Sequence, residues 1–569
     1  MKKTTQIILC LSILVIASCA KEQPNKTTEI ENTIEVEVIA ASTVPTLREK
    51  KQLLAHKVKA DFQQARVERT FIAANMVAPV GTSFYDQSLQ LPPQNHEKYH
   101  HVDKNSVKLV TDKPVSTFSI DVDTASYTNV RRILNQGQLP QNDAIRVEEF
   151  INYFSYDYPK VRDDKPFSVF TEVAPSPYNK DKHLLHIGIQ GKVIDSTQRP
   201  ASNLVFLIDV SGSMNNANKL GLLKNSLKML VKQLSEKDKV AIVVYAGAAG
   251  TVLETTSGDK SYAITEALSR LSAGGSTNGS AGIYAAYKLA QKSFIQGGIN
   301  RVIIATDGDF NVGEVNPQAL KNLIEKKRNS GITLSVLGFG IGNYNDALMQ
   351  SLAQNGNGNA YYIDTLNEAR KVLVEELSAT LMIIAKDVKI QVEFNPKAIS
   401  EYRLIGYETR ALKREDFNND KIDAGEIGAG HTVTALYEIS FVGAENKMID
   451  SLRYQNKEVD NINGDDVNEL AFLRLRYKLP EQVSSQLIEI PITRNVVKPS
   501  LSASSDNFRF SAAVAGFGQL LRGGGNLSTM GVTQVIEIAQ NAKGIDKHGY
   551  RSEFINMVKL SDALSLNGN

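Results

Sequence analysis

Between Leu204 and Leu381, unbroken apolar runs alternate with amphipathic stretches, and this alternation constrains the fold more than any other feature of the chain. Leu204-Val-Phe-Leu-Ile208, Val240 to Tyr245, Val302-Ile-Ile-Ala305 and Leu334-Ser-Val-Leu337 carry apolar residues at successive positions, so both faces of each strand must be covered. Lys219 to Leu234 places Leu220, Leu223, Leu227, Leu230, Val231 and Leu234 on one helical face, and Ala263 to Leu271 and Ile283 to Phe294 also read as helices. A short strand at Thr251 to Glu254, a last strand at Tyr361 to Ile363 and a closing helix from Asn367 to Leu381 complete the segment. Buried strands alternating with helices predict a doubly wound α/β fold, Rossmann-like, with a parallel sheet between two helical layers.

The pattern changes on both sides. Upstream, Phe118-Ser-Ile-Asp-Val122, Val169 to Val173 and His183 to Gln190 alternate like strands, while Tyr127 to Gln136 and Asp143 to Phe154 read as helices. Downstream, Val388 to Phe394, Val433 to Phe441, Leu470 to Tyr477 and Leu487 to Ile492 alternate in the manner of an antiparallel sheet or sandwich. Helices follow at Asn507 to Leu521, Thr533 to Ala542 and Glu553 to Leu564. The predicted division is an N-terminal region over 111–199, the α/β domain over 200–385, a β-rich region over 386–500 and a helical segment over 501–569. The strand-rich regions are expected to pair into one sandwich, with the α/β domain inserted between them.

Residues 1–18 read as an export signal: Met-Lys-Lys, an apolar run from Ile7 to Ile16, then small residues. Ile16-Ala17-Ser18-Cys19 resembles a bacterial lipobox, which implies that Cys19 is lipidated and becomes the first residue of the mature chain. Its alternative is an ordinary secretory signal. Ala20 stands where an Asp would resemble an inner-membrane retention signal, so the resemblance favours the outer membrane; Lys21-Glu22 loosely resembles a surface-export signal. The only cysteines, Cys10 and Cys19, fall within this stretch, so no intramolecular disulfide frames the fold. Residues 19–110 are expected to form a flexible tether. The formal charge of +2 includes Lys2 and Lys3 of the leader, which leaves a near-neutral remainder with no footprint for nucleic acid or anionic lipid.

The residues with chemical potential stand at the ends of the buried strands. Asp209-Val-Ser-Gly-Ser213 follows the first and Thr306-Asp307-Gly308 the third, with Gly274-Gly-Ser-Thr-Asn-Gly279 between them. In a parallel sheet, loops beyond the carboxyl ends of the strands share one crevice. Asp, Ser and Thr offer hard oxygen donors of the kind a small dication prefers, and neutral hydroxyls leave much of the ion's charge unneutralised. Asp209, Ser211 and Ser213, two apart in an extended loop, can point the same way, and Gly212 is expected to let the backbone turn closely. Taken one at a time, these residues would pass for caps and turn formers.

Together they resemble the metal-ion-dependent adhesion site of von Willebrand factor type A domains. The resemblance implies that Asp209, Ser211, Ser213, Thr277 and Asp307 hold a divalent cation, Mg²⁺ or else Mn²⁺ or Ca²⁺, with Ser276 an alternative to Thr277. It further implies that an Asp or Glu of a protein partner completes the coordination. Phe118-Ser-Ile-Asp-Val-Asp-Thr-Ala-Ser-Tyr127 and Arg146-Val-Glu-Glu-Phe-Ile-Asn-Tyr-Phe154 resemble the N-terminal flank of bacterial lipoproteins carrying this domain. Asp387 to Ile439, including Leu404-Ile-Gly-Tyr407 and Gly425-Glu-Ile-Gly-Ala-Gly-His431, resembles their C-terminal segment.

Other motifs carry less. Asp121-Val-Asp123 reads as a strand end and helix cap. Asp416-Phe-Asn418-Asn-Asp420-Lys-Ile-Asp423 has calcium-like spacing, but Lys421 stands where an EF-hand needs Gly, so a solvated hairpin loop is expected. Gly338-Phe-Gly340-Ile-Gly342 reads as a turn, and His100-His101 as an exposed pair in the tether. No zinc-protease, phosphate-loop or nucleophile-elbow motif is present. The expected role is therefore a lipid-anchored binding module of the cell envelope and not an enzyme. A structural envelope protein with a loop-stiffening metal, and a metal-dependent hydrolase, stand as alternatives.

Overall fold

The computed structural model describes residues 97–162, 164–195, 198–276, 279–308, 317–450, 468–528 and 530–566. Its strands are β1 (Lys108–Leu109), β2 (Val115–Ser119), β3 (Phe167–Pro175), β4 (His183–Gly191), β5 (Ser202–Asp209), β6 (Lys239–Tyr245), β7 (Ala249–Ser257), β8 (Ile299–Thr306), β9 (Ile332–Gly338) and β10 (Ala360–Tyr362). They continue with β11 (Ile383–Phe394), β12 (Ile399–Ile405), β13 (Gly425–Gly428), β14 (Thr432–Phe441), β15 (Glu469–Lys478) and β16 (Gln486–Thr493).

The α/β segment forms a six-stranded sheet in the order β10-β9-β8-β5-β6-β7. Neighbours pair in parallel from β10 to β6, and β7 closes the edge antiparallel to β6. Successive residues of β5 feed opposite cores, which is why its run is continuously apolar. Leu204, Phe206 and Ile208 meet the helices Leu222–Val231 and Ser261–Arg270, whereas Val205 and Leu207 meet Gly279–Lys292 and Asp346–Asn355. The helix expected from Lys219 starts as a wide π-helical turn, Ala217–Gly221. The closing helix is likewise divided into Leu366–Arg370, a wide turn over Lys371–Glu375 and Leu377–Leu381.

Strands from both flanks form two further sheets. One runs β1-β12-β14-β4-β3; the other runs β13-β11-β15-β16, with β2 sharing the long edge of β11. Alternate residues of β4 and β14, such as Leu185, Ile187, Val433, Ala435 and Tyr437, pack between the sheets against Ile390, Val392, Leu473 and Leu475. The opposite face, with Leu184 and Leu436, is covered by helices including Ala125–Asn135, Val147–Asn152, Asp506–Leu521 and Tyr550–Leu566. The N-terminal region, the β-rich region and the helical segment therefore share their cores instead of folding apart.

The tether expected over 19–110 is too long at its C-terminal end, because the chain is docked from Glu97 onward. The Glu97 carboxylate accepts from Arg132 at 2.8 and 2.9 Å and from the Gly342 amide at 3.1 Å. The Lys98 amide donates to the Tyr344 carbonyl at 3.0 Å, Asn105 donates to the Gly406 carbonyl at 2.7 Å, and β1 pairs with β12. These polar pairings outweigh the lack of apolar residues that suggested mobility.

Asp121 and Asp123 also depart from the expected cap. Thr124, the residue at the helix start, makes no side-chain capping bond. Both carboxylates instead hold Arg410 (2.9–3.0 Å), and Asp123 accepts the Ala360 amide at 2.9 Å.

The seam between the α/β segment and the flanks is tied by buried charges. Arg131, 2% exposed, donates to Asp364 at 2.6 and 2.8 Å, to Glu368 at 2.9 Å and to Glu553 at 2.8 Å. Arg146 pairs with Asp346 at 2.6 Å. Removing one member of a buried ion network strands the rest, typically at ~3–5 kcal/mol. Arg131→Met is accordingly expected to lower unfolding stability by about that amount, measured by urea titration; a loss indistinguishable from that of a surface Arg→Met control would show that the network does not hold the seam.

Candidate functional site

Parallel pairing of β5 with β6 and β8 brings three strand ends together: Asp209 lies opposite Tyr245, and Ile208 opposite Ala305. The Asp209 carboxylate is fully buried and held from both neighbours. Its Oδ2 accepts from the Tyr245 hydroxyl at 3.1 Å and from Thr306 Oγ1 at 3.1 Å, and its Oδ1 accepts from the Ser211 amide at 2.9 Å. Burial pushes this carboxyl above the usual range, against the hydrogen bonds from Ser211, and the charge of Asp307 adds to the rise.

The next residues do not stay extended. Gly212–Met214 is a tight 3₁₀ turn, and it returns Ser213 Oγ to 2.9 Å from Ser211 Oγ. The third loop is stitched to this turn by Gly212 N to Gly275 O at 3.0 Å and Gly274 N to Val210 O at 2.7 Å. Gly212 does not have the conformational role expected of it: its φ is not positive, and an added Cβ would make ordinary 3.5 Å contact with the Gly275 carbonyl. Glycine is demanded instead at Gly308, among others, with φ +97°, where a Cβ would fall 2.5 Å from the Asn345 amide nitrogen.

Asp307 is fully buried, and its Oδ2 accepts from the Lys219 ammonium at 2.8 Å. Burial works to raise this carboxyl, but Lys219, aided by Asn343 and Ser213, holds it below the usual range. The structure thus brings Asp209, Ser211, Ser213 and Asp307 to one end of the sheet. Thr277 and Cys19 lie outside the described residues; Ser276 is exposed at the rim. Lys219, Asn343 and Tyr245 join the site without belonging to its motif. The sequence marks Tyr245 only as the end of a buried strand, and Lys219 only as the polar start of a helix.

Two carboxylates and two hydroxyls form a hard oxygen set that fits a small dication, whose remaining positions water can fill. Among the described residues, no three His, Cys, Asp or Glu side chains gather where they could hold a metal, so an ion here depends on the hydroxyls. The calcium-like loop at Asp416 is taken by the chain's own cation: the buried Lys389 ammonium donates to the Asp416 and Asn419 carbonyls at 3.0 and 2.6 Å. Gly338 ends β9 and the residues to Gly342 lie in the loop that follows it, and His101 is exposed and paired with Asp143 at 2.8 Å.

Residues 203–376 match the model of the von Willebrand factor type A domain, residues 93–186 one described as von Willebrand factor, and residues 379–564 one described as uncharacterized protein YfbK, C-terminal. An Escherichia coli (strain K12) protein, described as uncharacterized protein YfbK, is 48% identical over 478 residues, covering 82% of this chain and 81% of its own length. Human inter-alpha-trypsin inhibitor heavy chain H3 is 25% identical over 268 residues, which is 43% of this chain and 29% of that protein. Among solved structures, a von Willebrand factor type A protein from Catenulispora acidiphila is 14% identical, with 68% of this chain and 89% of that chain covered and a TM-score of 0.39.

Because Tyr245 donates to a buried carboxylate, Tyr245→Phe removes a charge-assisted bond and is expected to cost about 1.5–3 kcal/mol of stability in urea unfolding. An unchanged midpoint would mean that Tyr245 does not support Asp209.

Proposed function

As a member of the von Willebrand factor type A domain family, with the C-terminal region that E. coli YfbK also carries, the chain has a domain that in general mediates protein–protein interaction, often with a metal; we propose that it binds a protein partner through a divalent cation held by Asp209, Ser211, Ser213, Thr277 and Asp307. The observation that carries this reading is the meeting of Ser211 Oγ and Ser213 Oγ at 2.9 Å beside Asp209, which ends β5, and near the end of β8, which Asp307 follows. Mg²⁺ suits this set, as does Mn²⁺, and the bound ion supplies a position that an Asp or Glu of the partner fills. The chain's own residues do the rest. Tyr245 and Thr306 fix the orientation of Asp209, and the turn at Gly212–Met214 presents both hydroxyls on one side.

Binding, in preference to hydrolysis, is supported by the local chemistry. No histidine occurs between His186 and His431, so the whole α/β domain lacks an imidazole base. Asp209 accepts three hydrogen bonds and Asp307 is paired with Lys219, and in this reading both carboxylates serve the cation, which leaves neither as a base.

The deciding experiment is a pull-down from envelope extract with and without chelator, comparing the unaltered chain with Ser211→Ala. Partner capture is expected to require the metal and to be lost in the variant. In parallel, Mg²⁺ or Mn²⁺ at about a hundred times its dissociation constant is expected to add ~2.7 kcal/mol to the stability of the unaltered chain only. Partners retained equally by both chains in chelator would sink the adhesion reading and favour the structural one.

We further propose that the chain is held at the cell envelope, in the outer membrane, through lipid on Cys19, a reading supported by the leader pattern; among the described residues, no helix is long and apolar enough to cross a membrane. Cys19→Ser is expected to move the protein from the membrane fraction to the soluble fraction, and retention on the membrane would refute the anchor.

A further inference from the structure

The site contains a cation of its own. Lys219 lies in the wide turn Ala217–Gly221, and its side chain is 9% exposed. Its stem crosses Gly340, which takes φ +78° and has no room for a side chain: a Cβ there would stand 2.4 Å from Lys219 Cε and 2.5 Å from Cγ. Its ammonium donates to Asp307 Oδ2 at 2.8 Å and to Asn343 Oδ1 at 3.2 Å. The loops after β5, β8 and β9 therefore jointly fix one positive charge against a carboxylate of the candidate metal site.

Among the described residues of the site, Asp209 and Asp307 bring two negative charges and Lys219 returns one positive charge, a net of −1. A dication turns that into +1. Without the lysine, the loaded site would be neutral. Resting on the adhesion reading above, we propose that Lys219 sets the charge of the loaded site, loosening the hold on the divalent cation while leaving a net positive centre that selects an acidic side chain of the partner over a neutral one. Like charges confined to a poorly solvated crevice repel strongly, and unlike charges attract as strongly, so a single residue shifts both affinities in opposite directions. A purely structural lysine would do otherwise: losing it would loosen the loops and weaken both affinities together.

The test uses the full chain with Lys219→Met, which keeps the stem, and Lys219→Gln, which also keeps a polar head for Asp307 and Asn343. Calorimetric titration with Mn²⁺ is expected to show binding roughly tenfold or more tighter in both variants. The Mn²⁺-loaded variants are expected to bind a short peptide bearing a single aspartate roughly tenfold more weakly than the unaltered chain does, with the asparagine counterpart of that peptide weak throughout. In the unaltered chain, which needs no variant to fold, affinity for the aspartate peptide is expected to fall as ionic strength rises from about 0.05 to 0.5 M. Mn²⁺ affinity that is unchanged or weaker in both variants, or peptide binding indifferent to salt, overturns the role of Lys219 while leaving the adhesion reading in place. An unaltered chain that takes up no Mn²⁺ at all brings down the adhesion reading and this inference with it.

Discussion

The guanidinium of Arg131 is where three distant parts of the chain are joined. It sits on the helix Ala125–Asn135 and reaches Asp364 and Glu368, where the last helix of the α/β segment begins, and Glu553 in the final helix. Tyr153 donates to the same Glu368 and lies against Tyr127, so the charges are roofed by stacked rings. A guanidinium removed from water must satisfy all its donors or forfeit several kcal/mol, which makes the arrangement specific as well as cohesive. Apolar packing alone would leave the insertion free to slide; the fixed fork of Arg131 does not.

The same chemistry recurs around the seam. Arg146 holds Asp346 across it, while within the flanks Arg410 holds Asp121 and Asp123, and Arg132 holds Glu97. Through Glu97 and Lys98 the N-terminal flank grips Gly342 and Tyr344, in the loop that follows β9. That loop also supplies Asn343 to Lys219 and the close wall behind Gly308. One loop is therefore shared between the flank and the candidate site, so the flank contributes to where the Lys219 charge stands beside Asp307.

Legibility from sequence tracked burial. Strands buried on both faces, such as β5 and β8, announce themselves as apolar runs, and the order of the three loops bearing Asp209, Thr277 and Asp307 could be read directly. Strands with mixed faces could not. β12 carries Glu401 and Arg403 among its apolar residues, because Arg403 is buried against Glu438 and Glu401 accepts the Met448 and Ile449 amides, so its alternation is obscured. The helix Pro317–Asn329 buries only a narrow stripe that includes Leu320 and Ile324, and its many lysines hide the period. The docking of Glu97 to Leu109 was invisible for a related reason: it rests largely on hydrogen bonds to partners hundreds of residues away, such as Gly342 and Gly406.

By itself the sequence determined the fold class, the succession of buried strands along the chain and the types of oxygen donor placed at their ends, because hydrophobic periodicity and motif spacing are local properties. The tertiary structure alone decided which strands of the two flanks pair within the expected sandwich and that Asp121 and Asp123 serve Arg410. It alone decided, too, that Lys219 stands against Asp307. Each of these is a pairing of charges or strands far apart in the chain, and the partner of a charge is fixed by where the folded backbone carries it.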